Sequence, residues 1–177
     1  MILGLVLAGG KSSRFGSDKA LAEYDGHTLL SRAVDTLSGY CEFVVVVGRG
    51  MAPAPCIPDW PHPGMGPLGG IAAGLHHALD VGFESVLTCG VDSLELPEDL
   101  VSQLSPAPAF LASQPVVGHW PVTAAAELEK MLTETDDRSV FAFCKRIGAR
   151  PEEVAVPPAN INTPGDLAAA LARLERD

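Results

Sequence analysis

Between Arg49 and Lys130 the chain has not one lysine or arginine, although nine acidic residues fall in that interval. With a formal net charge of −10, that gap argues against a general nucleic-acid binder, which needs cations to displace the counterions of a phosphate backbone. A polyphosphate has three remaining holds: the N-terminal loop, backbone N–H groups, or a metal on the central acids. Cysteine spacing is equally negative. Cys41, Cys56, Cys89 and Cys144 form no CxxC pair, which indicates neither a zinc site nor a disulfide framework and leaves reduced, mostly buried thiols as the expectation. The five histidines show no ligand pattern, since the adjacent His76 and His77 project to different parts of a helix surface. No apolar run approaches the ~18 residues that span a bilayer. No basic segment precedes the apolar start MILGLVLAGG, so a signal peptide is not indicated, and the expected location is cytoplasmic. No repeat and no linker divides the 177 residues, so a single domain is expected, with no nucleic-acid or membrane partner.

What is present reads as strands alternating with helices. ILGLVL (2–7), EFVVVVG (42–48) and SVLTCGVD (85–92) are short continuous apolar runs, the pattern of strands buried on both faces. AFLAS (109–113) is a further strand candidate. Thr28 is placed to cap a helix over LLSRAVDTL that Gly39 closes, and Pro67 opens a second over PLGGIAAGLHHAL (67–79). PEDLVSQL (97–104), AAAELEKMLTE (124–134) and SVFAFCKRIG (139–148) complete the middle helices. The C-terminal TPGDLAAALARLER carries Thr163 as N-cap, Pro164 at the first helical position and Asp166 at the third. The sum is an α/β fold with a mainly parallel sheet.

The segment LAGGKSSRFGSDK (7–19), directly after the first strand, concentrates glycine and positive charge. It is not a dinucleotide fingerprint, because Gly9, Gly10 and Gly16 do not space as G-x-G-x-x-G. It is not a P-loop either: after Gly4 and Gly9 comes Gly10 where lysine is required, and the intervening residues belong to the strand. There remains a longer ligand loop at the carboxyl edge of an α/β sheet, with Gly9 and Gly10 permitting close backbone approach and Lys11, Arg14 and Lys19 bringing charge. Asp92 closes the third strand, where an isolated aspartate serves either as a metal ligand or as a turn residue.

These residues together resemble a family. LAGGKSSRFGSDK is similar to the signature loop, usually LAGGxSxRMGxDK, of nucleotidyltransferases with the MobA-like fold. GPLGGI (66–71) resembles that family's second glycine motif, and NINTPGDL (160–167) its C-terminal N-x-N-T-P-x-D/E-L. With Asp92 between them, the likeness runs from residue 2 to about residue 170 and is nearest to the molybdenum cofactor guanylyltransferases. It implies a three-layer, Rossmann-like nucleotidyltransferase fold with a mixed central sheet. Residues 1–104 would hold the nucleotide and 105–177 the acceptor. The implied reaction moves GMP from GTP to the phosphate of molybdopterin with release of pyrophosphate. Mg²⁺ is the implied cofactor, and molybdoenzymes or other cofactor-assembly proteins are the implied transient partners.

The resemblance carries roles residue by residue. Leu7, Ala8, Gly9 and Gly10 hold the nucleotide through backbone N–H groups, with Asp59, Gly66, Gly69 and Gly70 around base and ribose. Arg14, Lys19 and Asp92 are the catalytic set: Lys19 and Arg14 stabilise charge on the α-phosphate and the departing pyrophosphate, and Asp92 holds the metal with help from Asn162. Asn160 and Asn162 face the acceptor. The basic group Arg138, Lys145, Arg146 and Arg150 is either a receptor for the acceptor's phosphate or a solvated helix face. Three departures stand out. Asp92-Ser93-Leu94 replaces the usual Asp-x-Pro, which should loosen that turn. Gly48 stands where an asparagine is common. The stretch 105–122 is short, so a strand pair over the second substrate is expected to be trimmed. Two alternatives follow: cytidylyl transfer to the same cofactor, or transfer to a sugar or phospholactate phosphate. A third, of another class, is a nucleotide-binding adaptor without turnover.

Overall fold

The structure, a computed structural model, describes residues 1–10 and 14–176. Strand β1 (Ile2–Leu7) is followed by the small hairpin β2 (Glu23–Tyr24) and β3 (His27–Thr28), then helix α1 (Leu29–Ser38), β4 (Phe43–Val47) and β5 (Cys56–Ile57). Helix α2 (Pro67–Val81) leads to β6 (Ser85–Gly90), β7 (Ser93–Leu94), α3 (Leu100–Gln103), β8 (Ala109–Leu111) and β9 (Gln114–Pro121). Helices α4 (Ala125–Glu134) and α5 (Val140–Arg146), strands β10 (Arg150–Glu152) and β11 (Ala159–Asn160), and helix α6 (Pro164–Leu174) complete the chain. No helix among the described residues is long and apolar enough to cross a membrane.

Seven strands form the central sheet in the order β10-β8-β9-β6-β1-β4-β5. β1 runs parallel to β4 and to β6, so Leu7 stands beside Val47 on one side and Gly90 on the other. Alternate side chains of the inner strands serve opposite faces, as a pleat requires. Leu3, Leu5, Val45 and Val47 pack with α2, α4 and α5, whereas Val6, Val44 and Val46 pack with α1 and the apolar side of α6. This is the three-layer α/β arrangement that continuous apolar strands dictate. The cysteines behave as core groups: burial pushes the Cys41 and Cys144 thiols up to about 12 and raises that of Cys89 as well. Burial keeps these three as thiols.

The caps follow the local sequence. The Thr28 hydroxyl accepts from the Ser31 N–H at the start of α1, and Thr163 and Asp166 form a reciprocal capping box on α6. The stretch 105–122 joins the central sheet. β9 is an eight-residue strand inside the sheet, antiparallel to both β6 and β8. Its Trp120 is fully buried and donates from Nε1 to Thr88 Oγ1 at 2.9 Å. The ring lies where a side chain at position 118 would have to be, which is why Gly118 sits opposite it.

Candidate active site

The order of the strands creates the site. From β1 the chain moves to β4 on one side, then returns across α2 to β6 on the other, so a crevice opens where the ends of β1 and β6 diverge. A cavity of about 620 Å³ lies there. Leu7, Gly9 and Gly10 line it from β1, Val47 and Gly48 from β4, and Gly90, Val91 and Asp92 from β6. Gly66, Pro67 and Gly70 bring the start of α2 to its wall. N-cap Gly66 offers no side-chain acceptor, so the positive end of a 15-residue helix borders the cavity.

Its floor needs glycine at one point. Gly48 has φ +85°, and a Cβ there would lie 2.5 Å from the Gly9 Cα and N. The end of β4 therefore touches the loop after β1 backbone to backbone. An asparagine at 48 would not fit this arrangement without moving the loop.

Lys19 reaches the cavity from the far end of that loop. Asp18 caps a single helical turn, Lys19–Leu21, with its Oδ1 accepting from the Ala20 N–H at 3.2 Å. Buried Ala20 anchors the turn in the core. From it Lys19 Nζ donates to Asp92 Oδ2 at 2.8 Å, both side chains being mostly covered. The Asp92 side chain folds back over Gly90, where a Cβ would collide with Oδ1. One ammonium and one carboxylate are thus fixed together at the mouth of a glycine-walled cavity.

The chain is similar to known proteins over nearly its whole length. The sequence profile of the MobA-like NTP transferase domain matches residues 4–154. The chain belongs to that family. A molybdenum cofactor guanylyltransferase of Acidiphilium cryptum is 39% identical over 95% of this chain and 93% of its own length. Another, from Rhizobium johnstonii, is 38% identical over 98% and 93%. The crystal structure of molybdopterin-guanine dinucleotide biosynthesis protein A from Archaeoglobus fulgidus superposes with a TM-score of 0.78. It covers 100% of both chains at 22% identity, and so speaks for the fold.

Within this MobA-like NTP transferase domain the expected site residues divide. Leu7, Gly9, Gly10, Lys19, Asp59, Gly66 and Asp92 do line one cavity, and burial raises the Asp59 carboxyl above its usual range. Ala8 is adjacent but buried, its N–H on the Val47 carbonyl. Arg14 is exposed and is not among the cavity's lining residues. Lys11 lies outside the described residues. Gly69 belongs to packing: a Cβ there would sit 2.6 Å from the Met65 Cβ, and its carbonyl accepts from the Trp60 N–H. Gly70 does both jobs, lining the cavity while pressing against Leu7 and Val47.

Asn160 and Asn162 sit beside Asp92 through a short ladder. β11 pairs antiparallel with β7, Asn160 opposite Ser93, and the Ile161 N–H donates to the Asp92 carbonyl at 3.0 Å. The Asp166 carboxylate accepts from the N–H groups of Asn162 and Thr163, which hold its carboxyl below the usual range. Neither asparagine is among the residues lining the cavity. The turn after Asp92, without the proline, is tied down by side-chain hydrogen bonds. Buried Ser93 donates to Gln114 Oε1 at 2.8 Å, and Gln114 Nε2 donates to the Pro158 carbonyl at 2.7 Å. Leaving any of these groups unpaired costs about 1–3 kcal/mol, so a serine and a glutamine fix what a proline would have fixed by ring closure. No signal in the sequence linked residue 114 to this turn.

The C-terminal basic group is largely committed elsewhere. Arg146 Nε pairs with Glu127 Oε2 at 3.0 Å, and Arg150 bonds Glu152 and the carbonyls of Ser105 and Pro106. Arg138 reaches Met65 Sδ at 3.7 Å, and Lys145 is exposed. His76 stacks on Trp60 and faces Glu129. Among the described residues no three His, Cys, Asp or Glu side chains gather as a metal cage. The donor set at Asp92 instead fits a hard cation held by one carboxylate, its other ligands being phosphate oxygens and water, which is the habit of Mg²⁺.

Proposed function

We propose that this chain transfers GMP from GTP to the phosphate of molybdopterin and releases pyrophosphate. The observation that carries the reading is the Lys19–Asp92 pair, at 2.8 Å, at the mouth of the cavity between β1 and β6 in a member of this family. A phosphate oxygen of the acceptor attacks the α-phosphorus. The bond from that phosphorus to the β-phosphate oxygen breaks, and pyrophosphate leaves with the electron pair. Two anions must meet, so positioning and fixed charge dominate the catalysis.

The chain supplies these as follows. Backbone N–H groups of Gly9 and Gly10 receive the phosphates beside Leu7, that of Ala8 being held by the Val47 carbonyl, and Asp59, Gly66 and Gly70 border the nucleoside. Lys19 Nζ would stabilise the negative charge on the α-phosphate and the leaving pyrophosphate, with help from Arg14 in the same loop. Asp92 would hold Mg²⁺, with Asn162 in the adjoining segment, and the bound cation would supply further neutralisation across the phosphate oxygens. Residues 1–104 serve the nucleotide and 105–177, with Asn160 and Asn162, the acceptor. A cytoplasmic location and transient hand-over contacts with molybdoenzymes or other cofactor-assembly proteins belong to the same reading.

The test is pyrophosphate release with Mg²⁺, molybdopterin and each of GTP, CTP and ATP. Release with GTP alone is expected. Release with CTP alone would move the chain to cytidylyl transfer. Binding of nucleotide without any release would place it among non-catalytic adaptors.

A further inference from the structure

We infer that Arg49 is a positioning residue for Lys19, acting through Asp18; the inference rests on the transferase reading and adds a residue to it. Arg49 is the last cation before the long stretch without lysine or arginine. It leaves the end of β4 directly after Gly48, the residue in backbone contact with Gly9. Its guanidinium grips Asp18 as a fork, Nη1 to Oδ1 at 2.9 Å and Nη2 to Oδ2 at 2.6 Å. That fork sets orientation as well as distance. The Arg49 hydrogen bonds hold the Asp18 carboxyl below its usual range.

Asp18 in turn caps the turn that begins with Lys19. Guanidinium, carboxylate, capped turn and ammonium therefore form one continuous linkage from β4 to Asp92 on the far side of β1. Arg49 does not line the cavity, so its effect on a nucleotide passes through this linkage. The pair is partly exposed, side chains 19% and 45%. Pairs of that kind contribute little to global stability. What the fork fixes is the direction of the helical turn, and with it the aim of the Lys19 side chain.

The test is a double-variant cycle on Arg49→Ala and Asp18→Asn, the latter keeping an oxygen for the Ala20 N–H while weakening the hold on Arg49. Each single variant is expected to lower kcat about 10–100-fold, as displacement of a catalytic group by a fraction of its reach does. The Kd for Mg–GTP by calorimetry should change little, and Arg49→Lys should restore only part of kcat. The double variant should be no worse than the poorer single. Multiplying losses, or a raised Kd with kcat intact, would overturn the inference, because Arg49 would then act directly on the nucleotide. A second readout stands apart from turnover. In nucleotide-free protein labelled with ε-¹³C-lysine, which reports only Lys11, Lys19, Lys130 and Lys145, Arg49→Ala should shift the Lys19 signal. An unmoved Lys19 signal overturns the inference even if the chain proves to transfer no nucleotide.

Discussion

Asp92→Asn is expected to lower kcat by about 10³-fold, the scale of the several kcal/mol of charge stabilisation that a catalytic cation provides. The substitution is nearly isosteric and leaves an oxygen for the Lys19 amine at its 2.8 Å contact, so the turn held by β7 and β11 should persist. What disappears is the anionic ligand. The decisive readout is independent of turnover: Mn²⁺ titrated in the presence of GTP and followed by electron paramagnetic resonance. Wild-type protein should bind the ion in that complex, and Asp92→Asn should leave it largely free. Full turnover together with an unchanged Mn²⁺ titration would remove Asp92 from the metal-holding role and return it to a turn residue.

Lys19→Ala is expected to cost about 10²–10³-fold in kcat, as loss of one preorganised charge-stabilising donor does. Among the described residues Lys19 is the one cation lining the cavity. The Kd for Mg–GTP should rise much less than kcat falls, because the amine is aimed at charge that grows during transfer. Single-turnover measurement of pyrophosphate release separates the two quantities. Lys19→Arg should not recover the rate, since a planar guanidinium does not reproduce the compact charge of an ammonium held by a short turn. A loss confined to Kd would mean that Lys19 binds substrate and does not stabilise the transition state.

Much of the architecture was legible because local signals agreed with it. β1, β4 and β6 announce themselves as continuous apolar runs, and α1 and α6 carry explicit caps at Thr28 and Thr163. β9 was not legible. Pro115, Gly118 and Pro121 interrupt any strand pattern there, and the strand exists because β6 and β8 flank it and Trp120 fills the core beside Gly118. The same divide runs through the site. Lys19, Asp92 and the glycines of the opening loop were visible as a spaced motif. Gly69 was placed against ligand because a sequence does not distinguish a glycine that admits a nucleotide from one that admits Met65. The ties from Asp18 to Arg49 and from Ser93 to Gln114 join residues far apart in the chain, and no local pattern encodes such meetings.

The charges around the cavity also bear on how a nucleotide arrives. Its described lining holds one ammonium, Lys19, against two carboxylates, Asp59 and Asp92, within a chain of net charge −10. The net charge therefore opposes a triphosphate at long range, and attraction comes from the cations near the opening loop at closer range. Long-range repulsion is screened at lower ionic strength than close contacts are. Association of Mg–GTP should accordingly quicken as salt is raised from a few millimolar toward the physiological range. Stopped-flow binding of a fluorescent GTP analogue reads this directly, and a rate that falls steadily with salt would mean that local cations steer the encounter. Most phosphate-binding sites gain speed from their surroundings; this one is built to take hold of a ligand that its own surface holds off.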